Sequence, residues 1–252
     1  MKILVWGCGN MASAFALGLS RAHQDLQFIC WNPSGEKAQT LAKKLNGTVL
    51  TDASKRPVVD AVILGFKPQK LSEAAPALSG LSSETTVISL LAAVSINRLR
   101  TFLPAAQILR VMPNLAVATG NGVALWQGQK SWGARLQCLG LAPEVSEELM
   151  DVYTIHAGCS PAFLFSWIDD AAKFASAHGG DADLSRKILI KAWQGALAGL
   201  ENDEMSMEEK VNEVASKGGV TRAALDGFSA RAPDYIDHGF AAGLKRIQEL
   251  KS

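Results

Sequence analysis

The chain of 252 residues has no excess of charge of either sign, since 25 Lys and Arg residues are matched by 24 Asp and Glu residues and the formal net charge is +1. Such a balance leaves no electrostatic footprint for nucleic acid or for an anionic membrane surface. Long apolar runs are also missing, and none approaches the roughly 20 residues of a membrane-spanning helix. We therefore expect a protein that binds neither nucleic acid nor a membrane.

Cysteine is scarce, and no two cysteines form a CxxC pair. The four are Cys8, Cys30, Cys138 and Cys159. This scatter argues against a disulfide framework and indicates small buried thiols in a reduced compartment. The N-terminal sequence MKILVWGCG leads directly into an apolar run and a glycine turn, which leaves no room for a signal peptide. We expect a cytoplasmic protein, and we assign no metal site.

Short apolar runs alternate with helix-like segments in the first half of the chain. The apolar runs are 2–6, 26–31, 60–66, 85–90 and 107–112, and the helical segments lie near 10–22, 35–45, 69–79 and 95–102. Runs this apolar are typical of strands buried on both faces of a parallel sheet. Strand–helix alternation predicts an α/β, Rossmann-type, doubly wound parallel sheet.

The second half shows only helical periodicity from Ser146 onward, with Gly, Pro or N-cap residues between segments. We therefore predict a dinucleotide-binding domain at 1–145 and an all-α domain at 146–252. About a hundred residues make a small independent core, so the apolar helices favour pairing with a second copy. The alternative is that they pack against the first domain alone.

A glycine motif, Gly7-x-Gly9-x-x-Ala12, follows the first predicted strand and opens the first helix. The first glycine permits a tight turn, the second lets the backbone approach a pyrophosphate, and the alanine permits close helix–strand packing. Asn10 and Met11 complete the predicted phosphate-binding turn. The alternative is an ordinary strand–helix connection.

The end of the second predicted strand carries no carboxylate. Asn32 and Ser34 stand there, with Lys37 nearby, whereas an NAD site usually has Asp or Glu for the ribose hydroxyls. Hydrogen-bond donors and a cation tolerate a 2′-phosphate that a carboxylate would repel. The sequence therefore favours NADP, with NADPH preferred over NADH, although Glu36 is close.

Two further strand ends carry candidate cofactor residues. Lys67 and Pro68 follow the run VILGF, and Pro113 and Asn114 follow the run QILRVM. Because ligands bind at the carboxyl ends of such strands, we expect Lys67 near phosphate or nicotinamide and Asn114 in the wall of the nicotinamide pocket. The alternatives are a solvated lysine and a generic loop.

Five motifs occur in a fixed order along most of the chain. They are GCGNMA at 7–12, KPQ at 67–69, RVMPN at 110–114, PAF at 161–163 and GGVTRAALDGF at 218–228. In this order the chain resembles the pyrroline-5-carboxylate reductase family. The resemblance implies a Rossmann domain and a helical domain that interlocks with a partner subunit, in dimers that often assemble into rings. It also implies hydride transfer from NAD(P)H to 1-pyrroline-5-carboxylate, giving L-proline.

The resemblance also implies a substrate site at the twin glycines. A Gly-Gly turn at a helix N-terminus presents backbone N–H groups to an anion such as the substrate carboxylate. Ser216, Gly218, Gly219 and Thr221 are the predicted substrate-binding residues, and the Thr221 hydroxyl is the catalytic candidate, bonding the ring nitrogen or the carboxylate. The alternative makes Thr221 a helix cap. No strong acid or base is required, and His156 is a candidate by location only.

The chain departs from the family near this pocket. Where the family has a Ser-Gly-Ser-Gly-Pro-Ala-Tyr-like stretch, it has AGCSPAF, with Ala157, Cys159, Ser160 and Phe163, and Lys217 replaces the usual proline before the glycines. Two alternatives stay open. One is a paralogue that reduces another cyclic imine or a small carbonyl, and the other is a catalytically inactive NADP-binding regulator.

Overall fold

The computed structural model describes residues 1–200, 204–231 and 234–251. Its strands are β1 (Lys2–Trp6), β2 (Gln27–Trp31), β3 (Thr48–Val49), β4 (Ala61–Leu64), β5 (Thr86–Ser89), β6 (Gln107–Pro113), β7 (Gly122–Gly128) and β8 (Gly140–Leu141). They form one sheet in the order β3-β2-β1-β4-β5-β6-β7-β8. The first six strands are mutually parallel, β7 is antiparallel to β6, and β8 is parallel to β7.

The α-helices described are α1 (Asn10–Ala22), α2 (Glu36–Leu45), α3 (Leu71–Leu78), α4 (Ile96–Phe102), α5 (Gly133–Leu136), α6 (Glu147–Thr154), α7 (Ser160–Ala177), α8 (Ala182–Ala198), α9 (Met207–Val214), α10 (Val220–Arg231) and α11 (Tyr235–Lys251). A π-helical turn, Ile155–Cys159, joins α6 to α7. None of the described helices is long and apolar enough to cross a membrane. The predicted helical segments also include 201–203, 232–233 and 252, which lie outside the described residues.

The sheet is covered on both faces, which confirms the doubly wound fold. Alternate residues of β1 enter opposite cores, because successive side chains of a strand point to opposite faces. Ile3 and Val5 pack with α1 and α2, while Leu4 and Trp6 pack with α3 and α4. The Trp6 ring stacks on its strand neighbour Trp31 with centroids 3.9 Å apart.

The chain divides into two compact units. The sheet unit comprises Met1–Cys159 and Gly243–Ser252, and the helical unit comprises Ser160–Ala242. This division differs from the predicted boundary at 145/146, because α6 packs with the sheet. Met150 of α6 is fully buried against Met112 of β6 and Leu125 of β7.

The helical unit has almost no buried core of its own. Among its described residues, only Ala172 and Ala215 are buried. Large apolar side chains remain exposed, including Phe165 and Phe174, each 66% exposed. A unit that exposes so many large apolar side chains favours a protein–protein interface. The unit thus has the surface expected of an element that is completed by association.

Ala93 holds a left-handed backbone conformation in the turn after β5, with φ of +62° and its side chain buried. The left-handed conformation is less stable by about 1–2 kcal/mol for a residue with a Cβ atom. Replacing Ala93 with glycine is therefore expected to raise the free energy of unfolding by up to about 1 kcal/mol, after the loss of chain entropy in glycine is subtracted. Thermal denaturation checks this, with a rise of about 2–4 °C expected and a fall in melting temperature contradicting it.

Candidate functional site

The carboxyl ends of β1 and β4 are adjacent, although β2 and β3 come between them in the chain. This reversal of strand order creates the crevice in which doubly wound sheets bind ligands. Gly7 begins the turn after β1 with φ of +96°. An added Cβ would lie 2.9 Å from the carbonyl carbon of Gly65 and 2.9 Å from the nitrogen of Phe66. Only glycine fits at position 7, as the motif predicts.

Gly65, at the end of β4, is a second required glycine that the sequence interpretation did not single out. A Cβ there would lie 2.2 Å from the Cβ of Ala12 and 2.4 Å from the carbonyl oxygen of Gly7. The small side chain of Ala12 and the bare backbone of Gly65 therefore let α1 approach the strand ends. The signal in the sequence was a glycine directly after the apolar run AVIL.

The first turn of α1 is open to an anion. Gly9 is its N-cap residue and offers no side chain to cap the helix, and no acidic residue lies in the first turn. The amides at the start of a helix lack intrahelical partners. Asn10 and Met11 are the first two residues of this helix, so the predicted phosphate-binding turn is built around unobstructed N–H groups.

Asn32 joins the glycine turn to the end of β2. Its Oδ1 accepts a hydrogen bond from the backbone N–H of Cys8 at 3.1 Å, and its Nδ2 donates to the Ser34 hydroxyl at 2.8 Å. The Asn32 side chain thus links the glycine turn to Ser34 by hydrogen bonds. Ser34 and Lys37 are exposed beside it and remain accessible to a ligand phosphate.

Two thiols lie beneath this turn. A hydrogen bond between them raises the pKa of the Cys30 thiol, as does its burial, and the same hydrogen bond lowers the pKa of Cys8. Both side chains are buried, and the Cys8 thiol points at the carbonyl oxygen of Trp31, 3.5 Å away. We attribute to the pair a packing role beneath the cofactor turn.

Lys67 and Pro68 follow β4 on the same edge of the sheet. Lys67 precedes a 3-10 turn, Pro68–Lys70, and its side chain is exposed. Within the described ranges Lys67 has no ion-pair partner. Its charge is therefore available to a ligand at the carboxyl edge.

Asn114 has a different environment from the one expected of a ligand-contacting amide. Its Nδ2 donates to the carbonyl oxygen of Ala157 at 3.1 Å, and its Oδ1 accepts from the N–H of Val123 at 3.2 Å. The side chain ties the end of β6 to β7 and to the π-helical turn. Any part it has in a nicotinamide pocket is therefore that of a fixed wall.

Arg110, also within the RVMPN motif, is a buried charge that the sequence interpretation passed over. Its guanidinium, 1% exposed, donates to Glu147 Oε1 at 3.1 Å and to Asp151 Oδ1 at 3.4 Å. The same Glu147 oxygen accepts from the N–H of Ile96 at 2.8 Å, and Asp151 also binds Lys251. One side chain of β6 thereby connects α4, α6 and the end of α11.

The twin-glycine turn lies in the helical unit, between α9 and α10. Gly218 has φ of +74°, and the N–H of Gly219 donates to the carbonyl oxygen of Ser216 at 3.0 Å. The carbonyl oxygen of Gly219 accepts from Ala223, so Gly219 is the N-cap residue. Thr221 is already the second residue of α10, which removes the capping alternative.

Thr221 is exposed, and its hydroxyl has no hydrogen-bond partner in the part of the chain that the structure describes. Ser216 and Gly218 are exposed beside it. The four predicted substrate residues are thus contiguous in one turn. The predicted cofactor residues are gathered separately at the carboxyl edge of the sheet.

The divergent stretch AGCSPAF spans the π-helical turn and the start of α7. Single π-helical turns are frequent at functional sites. The His156 Nδ1 lies 2.9 Å from the carbonyl oxygen of Val152, one helical turn back, and the side chain is exposed. Phe163 packs on Phe240 with ring centroids 5.9 Å apart. His156 is held by its own helix, so nothing in the geometry assigns it a proton-transfer role.

Comparison with known proteins agrees with these features. Residues 147–250 match the family model for pyrroline-5-carboxylate reductase dimerisation, and residues 2–93 match the model described as NADP oxidoreductase coenzyme F420-dependent. A protein of Pasteurella multocida named pyrroline-5-carboxylate reductase is 31% identical, covering 97% of this chain and 96% of its own length.

Two solved structures have the same fold. A 1-pyrroline-5-carboxylate reductase from Streptococcus pyogenes superposes with a TM-score of 0.86 at 25% identity, covering 100% of this chain and 98% of its own. The pyrroline carboxylate reductase of Plasmodium falciparum, solved with NADP bound, gives 0.89 at 20% identity with the same coverage. The dinucleotide crevice and the helical dimerisation domain define the class, an NADP-dependent oxidoreductase that forms oligomers. Within that class, the chain belongs to the pyrroline-5-carboxylate reductase family.

Proposed function

We propose that the protein reduces 1-pyrroline-5-carboxylate to L-proline, the last step of proline biosynthesis, with NADPH as the hydride donor. The observation that carries the proposal is the twin-glycine turn with its free threonine hydroxyl, retained in a chain whose first unit has a complete dinucleotide turn. A protein that only sensed NADPH would need the dinucleotide turn but not the twin-glycine turn with its threonine.

The cofactor roles follow from the strand edge. Gly7, Gly9, Asn10 and Met11 form the pyrophosphate turn. Ser34, braced by Asn32, contacts the 2′-phosphate, with the exposed Lys37 adding a positive charge. Lys67 and Pro68 form the next part of the site, and Asn114 is a fixed part of the nicotinamide wall.

The substrate roles follow from the α10 turn. The backbone N–H groups of Gly218, Val220 and Thr221 bind the carboxylate, because glycine leaves their approach unobstructed and the helix N-terminus favours an anion. The Thr221 hydroxyl donates to the carboxylate or interacts with the protonated ring nitrogen, and Ser216 adds a second hydroxyl at the rim. This chain's residues hold the imine and exclude other orientations, so catalysis is mainly by positioning.

NADPH supplies the hydride, which adds to the C=N carbon while the electron pair of the C=N bond passes to nitrogen. The imine binds protonated, and that proton stays on the product amine. This balance needs no side chain as a strong acid or base. It agrees with a site whose two proposed side-chain contacts, the hydroxyls of Thr221 and Ser216, are neutral.

A second candidate is the reduction of a related cyclic imine. It is favoured by the exposed Lys217, which stands where the family has proline, and by Ala157 and Cys159 in the π-helical turn. Lys217 adds a positive charge beside the twin glycines, whereas the glycine turn that holds the cofactor keeps its motif.

The proposal extends to assembly and location. The nearly coreless helical unit supports a homodimer, which in this family can be the building block of rings. Four free thiols, none paired in a disulfide, support a cytoplasmic setting.

The test is the loss of NADPH absorbance with 1-pyrroline-5-carboxylate as substrate, repeated with NADH. We expect a kcat in the ordinary range of about 1–1,000 per second and a kcat/KM at least about tenfold higher for NADPH, the size of one good contact to a charged group. Turnover only with a six-membered cyclic imine would support the second candidate. Binding of NADPH without turnover of any imine would contradict both.

A further inference from the structure

Arg222 follows Thr221 in α10 and reaches back across the twin-glycine turn. Its Nη2 donates to Asn212 Oδ1 at 2.7 Å and to the carbonyl oxygen of Ala215 at 3.3 Å. Asn212 belongs to α9, and Ala215 is the C-cap residue of that helix. The guanidinium therefore connects the last turn of α9 to the first turn of α10, on either side of residues 216–219.

Arg222 binds the C-terminal end of α9 next to a buried residue. The N–H of Ala215 donates to the carbonyl oxygen of Val211 at 2.8 Å, and Ala215 is one of two buried residues among those described in the helical unit. Beyond it the turn has little support of its own, since Ser216, Lys217 and Gly218 are exposed. The bonds of Arg222 thus connect the start of α10 to the C-terminal end of α9.

The charge of Arg222 lies between two helix ends. The C-terminal end of α9 favours the cation, whereas the positive end of the α10 dipole opposes it and α10 has no acidic residue in its first turn to offset it. Lys217 adds a second cation in the preceding turn. A bound carboxylate at the N–H groups of the turn would compensate both charges, which is the ligand already proposed there.

We propose that Arg222 is a positioning residue for substrate binding. It does not contact the imine. It holds the 216–221 segment so that the N–H groups and the Thr221 hydroxyl converge on the substrate, and its charge strengthens the anion site from behind. This inference rests on the proposed reduction of 1-pyrroline-5-carboxylate.

The experiment replaces Arg222 with methionine and measures the imine kinetics and the NADPH dissociation constant. Losing a charge-assisted hydrogen bond is expected to raise the KM for the imine about tenfold. We expect kcat and NADPH affinity to change less than about twofold, because the dinucleotide site lies in the sheet unit. Arg100→Met is the matched control, since Arg100 is exposed in α4 and has no ion-pair partner in the described ranges.

Three further variants isolate the contact. Asn212→Ala removes one acceptor but keeps the guanidinium and its bond to Ala215, so the KM should rise only about threefold. Combining Asn212→Ala with Arg222→Met should raise KM no further than Arg222→Met alone. Arg222→Lys, which retains a donor and the charge, should recover part of the loss. Asn212→Ala also serves if Arg222→Met does not fold.

The outcomes separate the two hypotheses. Wild-type protein without turnover would refute the proposed function, and the positioning role with it. Normal wild-type turnover with an unchanged KM in Arg222→Met and Asn212→Ala would refute the positioning role alone. A lower kcat, a higher KM and a weaker NADPH affinity in parallel would indicate general unfolding and would also refute the positioning role.

Discussion

Replacing Arg110 with methionine is expected to lower the free energy of unfolding by about 3–5 kcal/mol, the cost of removing one partner from a buried ion pair. The side chain is 1% exposed and binds two carboxylates, Glu147 and Asp151, whose side chains are 28% and 14% exposed. Without the guanidinium, Glu147 loses its cation and, among the described residues, Asp151 keeps only its ion pair with Lys251, while both side chains stay largely buried. Urea denaturation followed by far-ultraviolet circular dichroism measures the loss.

A charge-relief variant distinguishes electrostatics from packing. Adding Glu147→Gln and Asp151→Asn to Arg110→Met removes both carboxylates that lost the guanidinium, so the triple variant should regain part of the stability that the single variant loses. Arg100→Met, an exposed arginine change, should stay within about 0.5 kcal/mol of wild type. An Arg110→Met protein as stable as that control would contradict the assigned role of the ion-pair network.

The first half of the chain, in which strands and helices alternate, was predictable because its strands are buried on both faces. All five predicted apolar runs became strands, with ends within two residues of the expected ones. β7 was missed because it returns antiparallel beside β6, outside the strand–helix alternation from which the parallel strands were predicted. β3 and β8 have two residues each and exist through pairing with neighbours, which sequence periodicity does not report.

The site was predictable where one local segment determines the geometry. Gly7 and Ala12 follow from a motif whose backbone demands are built into its spacing. Gly65 was not predictable, because the atoms that exclude a Cβ at this position belong to Ala12 and Gly7, more than fifty residues earlier in the chain. Asn114 likewise was placed correctly at a strand end, but its partners lie on β7 and the π-helical turn and are fixed by tertiary structure.

In the helical unit, sequence periodicity predicted the helices but not the exposure of their large apolar side chains. Its helices were expected from periodicity, yet the residues that would ordinarily form a core, such as Phe165 and Phe174, are exposed in the single chain. The apolar pattern therefore encodes an interface as well as a fold. For this reason the apolar composition of these helices favours a homo-oligomer even though it does not identify which side chains meet the partner.

Removing the Thr221 hydroxyl by Thr221→Val should lower kcat/KM for 1-pyrroline-5-carboxylate about 100-fold, which corresponds to about 2.7 kcal/mol of transition-state stabilisation. Valine keeps the shape and the β-branch, so the start of α10 should be preserved. The hydroxyl is exposed and has no hydrogen-bond partner within the described ranges, so its loss breaks no contact there that holds the fold together. Stopped-flow and steady-state kinetics with NADPH give kcat and KM separately.

Three controls make the result specific to the substrate. The NADPH dissociation constant, measured by fluorescence titration, should be unchanged in Thr221→Val, because Thr221 belongs to the helical unit. Thr221→Ser should keep most of the activity, since serine restores the donor. Thr221→Asp should be worse than valine, because a carboxylate would repel the substrate anion from the same N–H groups. Wild-type kcat/KM in Thr221→Val would show that the backbone of the twin-glycine turn binds and orients the imine without this side chain.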